Sequence, residues 1–167
     1  VFGTIFKFLV FAAIVAGIYL FVTKVVLKPN GPETYEEAVT AFQVAVNDAD
    51  EEELKNLVPS YITANKALVE EILPAVQGTH YTAIDIIKVT EWTAAEVDSF
   101  NDQIQVSHGK TADAKEGVTL RLGLRGKMTD KNGVPRQYQE VELNFIKMKG
   151  VWYPDIEDVQ DKLFTRE

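Results

Sequence analysis

Residues 118–155 read VTLRLGLRGKMTDKNGVPRQYQEVELNFIKMKGVWYPD, and this stretch decides the fold. Val118, Leu120, Leu122 and Leu124 alternate with Thr119, Arg121, Gly123 and Arg125. That period of two sends one set of side chains to a core and the other to solvent. Asp130-Lys131-Asn132-Gly133 is a hairpin turn, because Asn-Gly tolerates the positive φ such turns need. The return run alternates again, with Val141, Leu143 and Phe145 against Glu140, Glu142 and Asn144. Lys149-Gly150 predicts a second tight turn into Val151-Trp152-Tyr153. The result is an antiparallel meander with Arg121 and Arg125 facing Glu140 and Glu142 as cross-strand pairs. Of Trp152 and Tyr153, one points inward and the other outward.

Upstream of the meander the pattern turns helical. A helix is predicted from about Pro32, with Glu33, Glu36 and Glu37 near its positive end and Tyr35, Val39, Phe42 and Val46 on one stripe. Asn47 to Asp50 ends it. Asp50 and Glu53 cap a short helix carrying Leu54, Leu57 and Val58. After Pro59-Ser60, Ala64, Ala67, Leu68 and Ile72 line a third helix ending near Pro74. Ala83 to Val89 is a short strand. Thr93-Ala94-Ala95-Glu96 is a capping box that opens a helix with Val97, Phe100 and Ile104 on its buried face. After Pro154-Asp155, Val159, Leu163 and Phe164 make an amphipathic tail. Helices followed by antiparallel strands describe an α+β domain.

The first residues have a different composition. Phe8 to Thr23 carries no charge, and Val1 to Leu27 carries only Lys7 and Lys24. At about 1.5 Å per residue, Val1 to Val26 would extend roughly 39 Å, against about 30 Å of bilayer hydrocarbon. The sequence therefore predicts a transmembrane helix over 1–27, a linker over 28–31 and a folded domain over 32–167. Within the span, Ala13, Ala16 and Gly17 form a small-residue stripe expected to bring two helices into contact. Lys24 and Lys28 following the span favour a cytoplasmic domain. A chain starting with Val rather than Met points instead to a processed or omitted amino terminus. The reading adopted is a single-pass cell-membrane protein with its domain outside the cytoplasm.

Composition and motifs remove several kinds of chemistry. The chain has net charge −8 and no cysteine. Acidic character repels nucleic-acid phosphates, so no nucleic-acid partner is expected. Thiolate nucleophiles, disulfides and cysteine metal sites are excluded. The two histidines, His80 and His108, fall in predicted loops and read as solvated side chains. No paired-histidine motif, serine elbow or phosphate loop is present. Asp48, Asp50, Glu51, Glu52 and Glu53 lack the spacing of a calcium loop and read as helix-start residues. Asp85, Tyr81 and Tyr138 have no inward placement from sequence. No catalytic, metal-binding or cofactor-binding residue is assigned.

Val141 to Asp155, ending Lys149-Gly150-Val151-Trp152-Tyr153-Pro154-Asp155, resembles the closing strands of the NTF2-like (cystatin-like) superfamily. More narrowly, it is similar to small anchored or lipoprotein domains of Gram-positive bacteria. The Tyr35-x-x-Ala38-Val39-x-x-Phe42 helix and the Asp50 to Ala64 segment agree, so the resemblance covers roughly residues 32–160. It implies a cone in which helices pack on a curved antiparallel sheet. It also makes Trp152 the core member of its pair and leaves Tyr153 as a candidate protein interface. The chain departs from the lipoprotein members in having no lipidation cysteine.

These readings combine into a non-enzymatic, membrane-anchored extracytoplasmic accessory or assembly protein acting through protein–protein contacts. Its expected partners are the lipid bilayer and a membrane or cell-surface protein, or a second copy of itself. One alternative is a pilin-like subunit of a surface filament, weakened by Ile5, Lys7 and the interruptions at Pro29 and Pro32. Another is a small-ligand binder using the interior of the cone, which a core filled by Phe42, Leu68, Phe100, Leu122, Phe145 and Trp152 would reject.

Overall fold

A computed structural model describes residues 31–164, Thr63 and Lys131 excepted. Helix α1 spans Tyr35–Asp48, begun by Thr34, whose hydroxyl accepts from the Glu37 N–H, and ended by Ala49 in the left-handed region. The cap explains why the helix starts at Tyr35 rather than Pro32. Asp50 accepts from the N–H groups of Glu52 and Glu53 to begin α2, Glu51–Asn56. Helix α3, Asn65–Gln77, runs through Pro74, which lies in its last turn, where one missing N–H costs little. Strand β1 is longer than the sequence suggested, His80–Glu91. The capping box at Thr93 and Glu96 forms as expected and opens α4, Ala94–His108. Then follow β2, Ala114–Thr129, β3, Pro135–Met148, and β4, Val151–Pro154. A short α5, Ile156–Val159, continues into a π-helical turn over Gln160–Phe164.

The strands form one antiparallel sheet in the order β1-β2-β3-β4. Register follows the alternation. Val118 faces Phe145, Leu120 faces Leu143 and Leu122 faces Val141, while Thr119 faces Asn144 and Arg121 faces Glu142. A slip of one residue would exchange these two sets between core and solvent, so the burial of the leucines fixes the pairing. Leu120, Leu122, Leu124, Leu143 and Phe145 are all fully buried. Lys149 and Gly150 both have positive φ, the two-residue turn that matches strand twist. Helix α1 packs on β1 and β4, α4 on β2 and α5 on β3, while α3 lies against α1, α2 and the π turn.

Both edges of the sheet are closed by side chains. On β1, Asn47 Oδ1 accepts from the Tyr81 N–H (2.7 Å), and Asn47 Nδ2 donates to the Tyr81 carbonyl (2.8 Å). Gln43 donates to that carbonyl as well (3.0 Å). β1 is irregular at Tyr81/Ala83, opposite Gly126, whose φ of 136° and contact with the His80 carbonyl leave no room for a Cβ. At the other side β4 pairs only with Phe145–Met148. There the helical tail takes over from the strand. Asn144 N–H donates to Asp158 Oδ2 (3.0 Å), Asp155 N–H donates to the Asn144 carbonyl (2.8 Å), and Lys162 donates to the Glu142 carbonyl (2.6 Å).

Several expectations are corrected. The domain is α+β, but the sheet is flat rather than curled into a cone, so the NTF2-like reading does not hold. Beyond β3 the sheet adds only the four-residue β4, and past Pro154 a short helix follows instead of a longer strand. The proposed interior is filled, because Phe42, Phe100, Leu122, Phe145 and Trp152 are buried and Leu68 packs against them. That rejects the cone as a ligand chamber. The expected span over 1–27, with Ala13, Ala16 and Gly17, lies outside the described residues, as does the pilin-like helix. Among the described residues no helix is long and apolar enough to cross a membrane. The single-pass location, the bilayer partner and the anchored accessory role are set aside with the span on which they rested.

The Asn47 clamp yields a direct test. Asn47→Ala removes two hydrogen bonds and exposes the Tyr81 peptide to incomplete pairing, which should lower unfolding free energy by about 2 kcal/mol. Urea denaturation at constant m-value measures this.

Candidate functional site

The polar face of the sheet divides into two regions. Near the β2–β3 hairpin, Arg121 bonds to Glu140 (Nε 2.9 Å), the diagonal partner rather than Glu142, which faces it in register. Arg125 turns instead to Asp85 on β1 (2.9 Å) and lies 5.7 Å over the Tyr138 ring. Tyr138 donates to Glu140 (2.9 Å). These groups satisfy one another. A groove of about 980 Å³ runs beside them, lined in part by His80, Arg125, Lys127 and Arg136. Two of its cations are already paired, Arg125 with Asp85 and Arg136 with Asp130, so little positive charge is left for a ligand.

The second region has the opposite character. A cleft of about 560 Å³ opens between α4, α5 and the polar face of the sheet. Trp92, at the end of β1, lies over Gly117, where any Cβ would collide with the indole. Its Nε1–H donates to Thr119 Oγ1 (2.9 Å), and the Thr119 hydroxyl donates to Asn144 Oδ1 (2.8 Å). This relay holds the indole flat on the sheet. Phe100 of α4 packs beside it, ring centroids 5.7 Å apart. Across the cleft stand Asp155, Glu157, Asp158 and Asp161, with Glu96 at the α4 end. The lining contains five carboxylates and no lysine or arginine.

These carboxylates are not equivalent. Glu96 is committed to the capping box, accepting from the Thr93 N–H (2.7 Å), which holds its carboxyl below the usual range. Asp158 serves the β3 edge and pairs with Lys162 (2.8 Å). Glu157 lies 3.2 Å from His108 Nε2. Asp155 caps α5 by accepting from the Asp158 N–H (3.5 Å). Burial, then the charge of Asp158 and that of Glu157, push the Asp155 carboxyl up to about 6, against the N–H bonds that favour its ionised form. Tyr61, between α2 and α3, touches Phe100 but does not line the cleft. It is 2 % exposed, and its hydroxyl has no hydrogen-bond partner among the described residues. Its ring meets Phe100 edge-on at 6.2 Å and His108 at 5.6 Å.

Sequence reasoning assigned none of these residues. Neither histidine is in a loop, since His80 begins β1 and His108 ends α4. Tyr153 is half-buried against the core, opposite Ile146, and Trp152 is buried as expected. Asp85 and Tyr138 are exposed and paired, whereas Tyr81 is buried. One available signal was missed. Asp155, Asp158 and Asp161 recur every three residues, which places carboxylates on one side of a helix. Among the described residues no group of three or more carboxylates and imidazoles is arranged to hold a metal ion. No family model, curated protein or solved structure matches the chain.

The raised Asp155 fixes a sign. Its folded pKa lies above the unfolded value of 3.8, so the native state retains a proton that the unfolded chain releases. Its contribution therefore becomes increasingly destabilising as pH rises from about 4 through about 6, and is fully so above that. Asp155→Asn keeps a competent helix cap. It should exceed wild-type stability at pH 7.5 by on the order of 2 kcal/mol. The gap should close as pH falls to about 4, in paired denaturation curves.

Proposed function

We propose that this domain is a non-catalytic binding module whose cleft takes a small organic cation. The observation that carries this reading is the cleft lining, five carboxylates and two aromatic rings with no lysine or arginine among them. A unit positive charge about 4 Å from one carboxylate gains roughly 4 kcal/mol at an effective dielectric near 20, before desolvation is subtracted. It also relieves repulsion among the carboxylates themselves. The indole face of Trp92 adds a cation–π contribution of about 0.5–2 kcal/mol. A bare divalent ion fits less well, because it needs several oxygens converging within about 2.6 Å. Here the carboxylates are spread around a space of about 560 Å³ and two of them, Glu96 and Asp158, are held by other bonds.

The non-catalytic reading follows from how the polar groups are used. The Thr119 hydroxyl is spent between Trp92 and Asn144, and no histidine lines the cleft. Titrating the protein with spermidine while following tryptophan fluorescence should show saturable binding through Trp92. Affinity should fall several-fold between 50 mM and 500 mM salt, as expected for partly exposed charges. The double variant Glu157→Gln, Asp161→Asn should bind at least five-fold more weakly. Equal response to spermidine and to citrate would defeat the reading.

A further inference from the structure

We propose that Asn132-Gly133, at the tip of the β2–β3 hairpin, is a site of spontaneous covalent modification, where the asparagine amide becomes a carboxylate at a rate set by Asp130. The chain holds two Asn-Gly pairs, Asn30-Gly31 and Asn132-Gly133, and the second lies wholly among the described residues. The reaction is an attack of the Gly133 nitrogen on Asn132 Cγ. The N–Cγ bond forms as the Cγ–Nδ2 bond breaks, and the proton lost from the Gly133 N–H leaves with Nδ2 as ammonia. Water then opens the cyclic imide at either carbonyl, giving aspartate or its β-linked isomer. No oxidant, metal or second protein is needed. A side chain on the following residue obstructs the attack, and glycine has none. Nothing lies within 4 Å of where a Cβ would stand at Gly133, whose φ is 78°. Asn132 and Gly133 are both exposed, so water and base reach the peptide between them.

The turn itself works against the reaction. The Gly133 N–H, whose proton must leave, donates to the Asp130 carbonyl (2.9 Å). Asp130 Oδ1 accepts from the N–H groups of Asn132 (3.0 Å) and Val134 (2.9 Å), so a carboxylate is held beside the reacting peptide. Its other oxygen accepts from Arg136 Nε (2.9 Å). The Val134 N–H bond, then Arg136 and the Asn132 N–H, keep the Asp130 carboxyl below its usual range despite partial desolvation. It is therefore ionised at the neutral and alkaline pH where a backbone amide gives up its proton. A fixed negative charge opposes a second one developing on the Gly133 nitrogen. Unfolding removes both restraints. The product adds a charge to a pocket of about 520 Å³ lined in part by Asp130, Arg136, Asp161 and Lys162. The β-linked isomer also lengthens the backbone inside the turn, and turn length fixes the register of a hairpin.

Peptide mapping by mass spectrometry tests this on the full 167-residue chain, incubated for several weeks at pH 8.5 in buffer and in denaturing guanidinium chloride. Asn132 should convert to a mixture of the two products in both. Conversion should be about ten-fold slower in buffer, where one turn hydrogen bond and a facing charge must be overcome. In guanidinium chloride the Asn30-Gly31 peptide supplies the reference rate for an unrestrained pair. Asp130→Ala should convert about three-fold faster than wild type in buffer and at the wild-type rate in denaturant. Thermal melting establishes that the variant is folded. If it is not, Asp130→Asn replaces it, because that change keeps an acceptor oxygen and removes only the charge, and conversion must quicken there too. Wild type left unconverted in buffer, or converting as fast there as in denaturant, would overturn the proposal. A folded variant converting at the wild-type rate in buffer would overturn it as well.

Discussion

Asn144 is the position on which this domain turns. Its backbone N–H and carbonyl point toward the side of β3 where a further strand would pair, but they meet Asp158 and Asp155 instead. Its side-chain oxygen accepts from Thr119, which accepts from Trp92. One residue thus ends the sheet, docks the carboxy-terminal helix and orders the polar face. An unpaired strand edge is a template for aggregation, and native folds cover it with charge, bulges or helices. Here the cover is a pair of side chains, Asp158 and Lys162, that bond both to the β3 backbone and to each other.

That solution has a consequence for electrostatics. Covering an edge with a short helix brings its capping residues onto the sheet. The cap of this helix is Asp155, and Glu157, Asp158 and Asp161 follow it. The carboxylates therefore gather beside Thr119 and Asn144 as a by-product of how the sheet is closed. Lys162 pairs with Asp158, and His108 Nε2 lies 3.2 Å from Glu157. Asp155 has no such cation and is partly desolvated, which is why its proton is held to unusually high pH.

The meander was legible because two periodicities agree, alternation within strands and turn residues between them. The caps at Asp50 and Thr93 were legible because capping chemistry is local. What escaped is non-local. Arg125 pairs with Asp85, forty residues away, because irregular pairing at Tyr81/Ala83 and Ile86/Lys88 sets the register of β1. No local pattern encodes such a shift. The closing Trp-Tyr-Pro-Asp segment resembled a cone-shaped fold since its alternation and turn are common to many antiparallel sheets. Curvature depends on what lies beyond the last strand, and here Asp155 starts a helix. The cleft was equally hidden, since Trp92, Thr119, Asn144 and Asp155 come from separate parts of the chain.

Local rules are obeyed almost everywhere in the described residues, the exceptions including Glu53 Oε2, Tyr61 and Asp155. Tyr61 buries a hydroxyl without a partner among the described residues, and Asp155 holds a partly buried carboxylate among like charges. Each weakens the fold, and either could be relieved by a conservative change, Tyr to Phe or Asp to Asn. Sequence-level consistency fails most often where a protein must hold chemistry ready for something else. The polar groups of the hairpin end make the contrast, because Arg121 and Tyr138 bond to Glu140 and Arg125 bonds to Asp85. Uncompensated negative charge thus gathers at the Asp155 end of the domain, where the lining holds carboxylates and aromatic rings but no lysine or arginine.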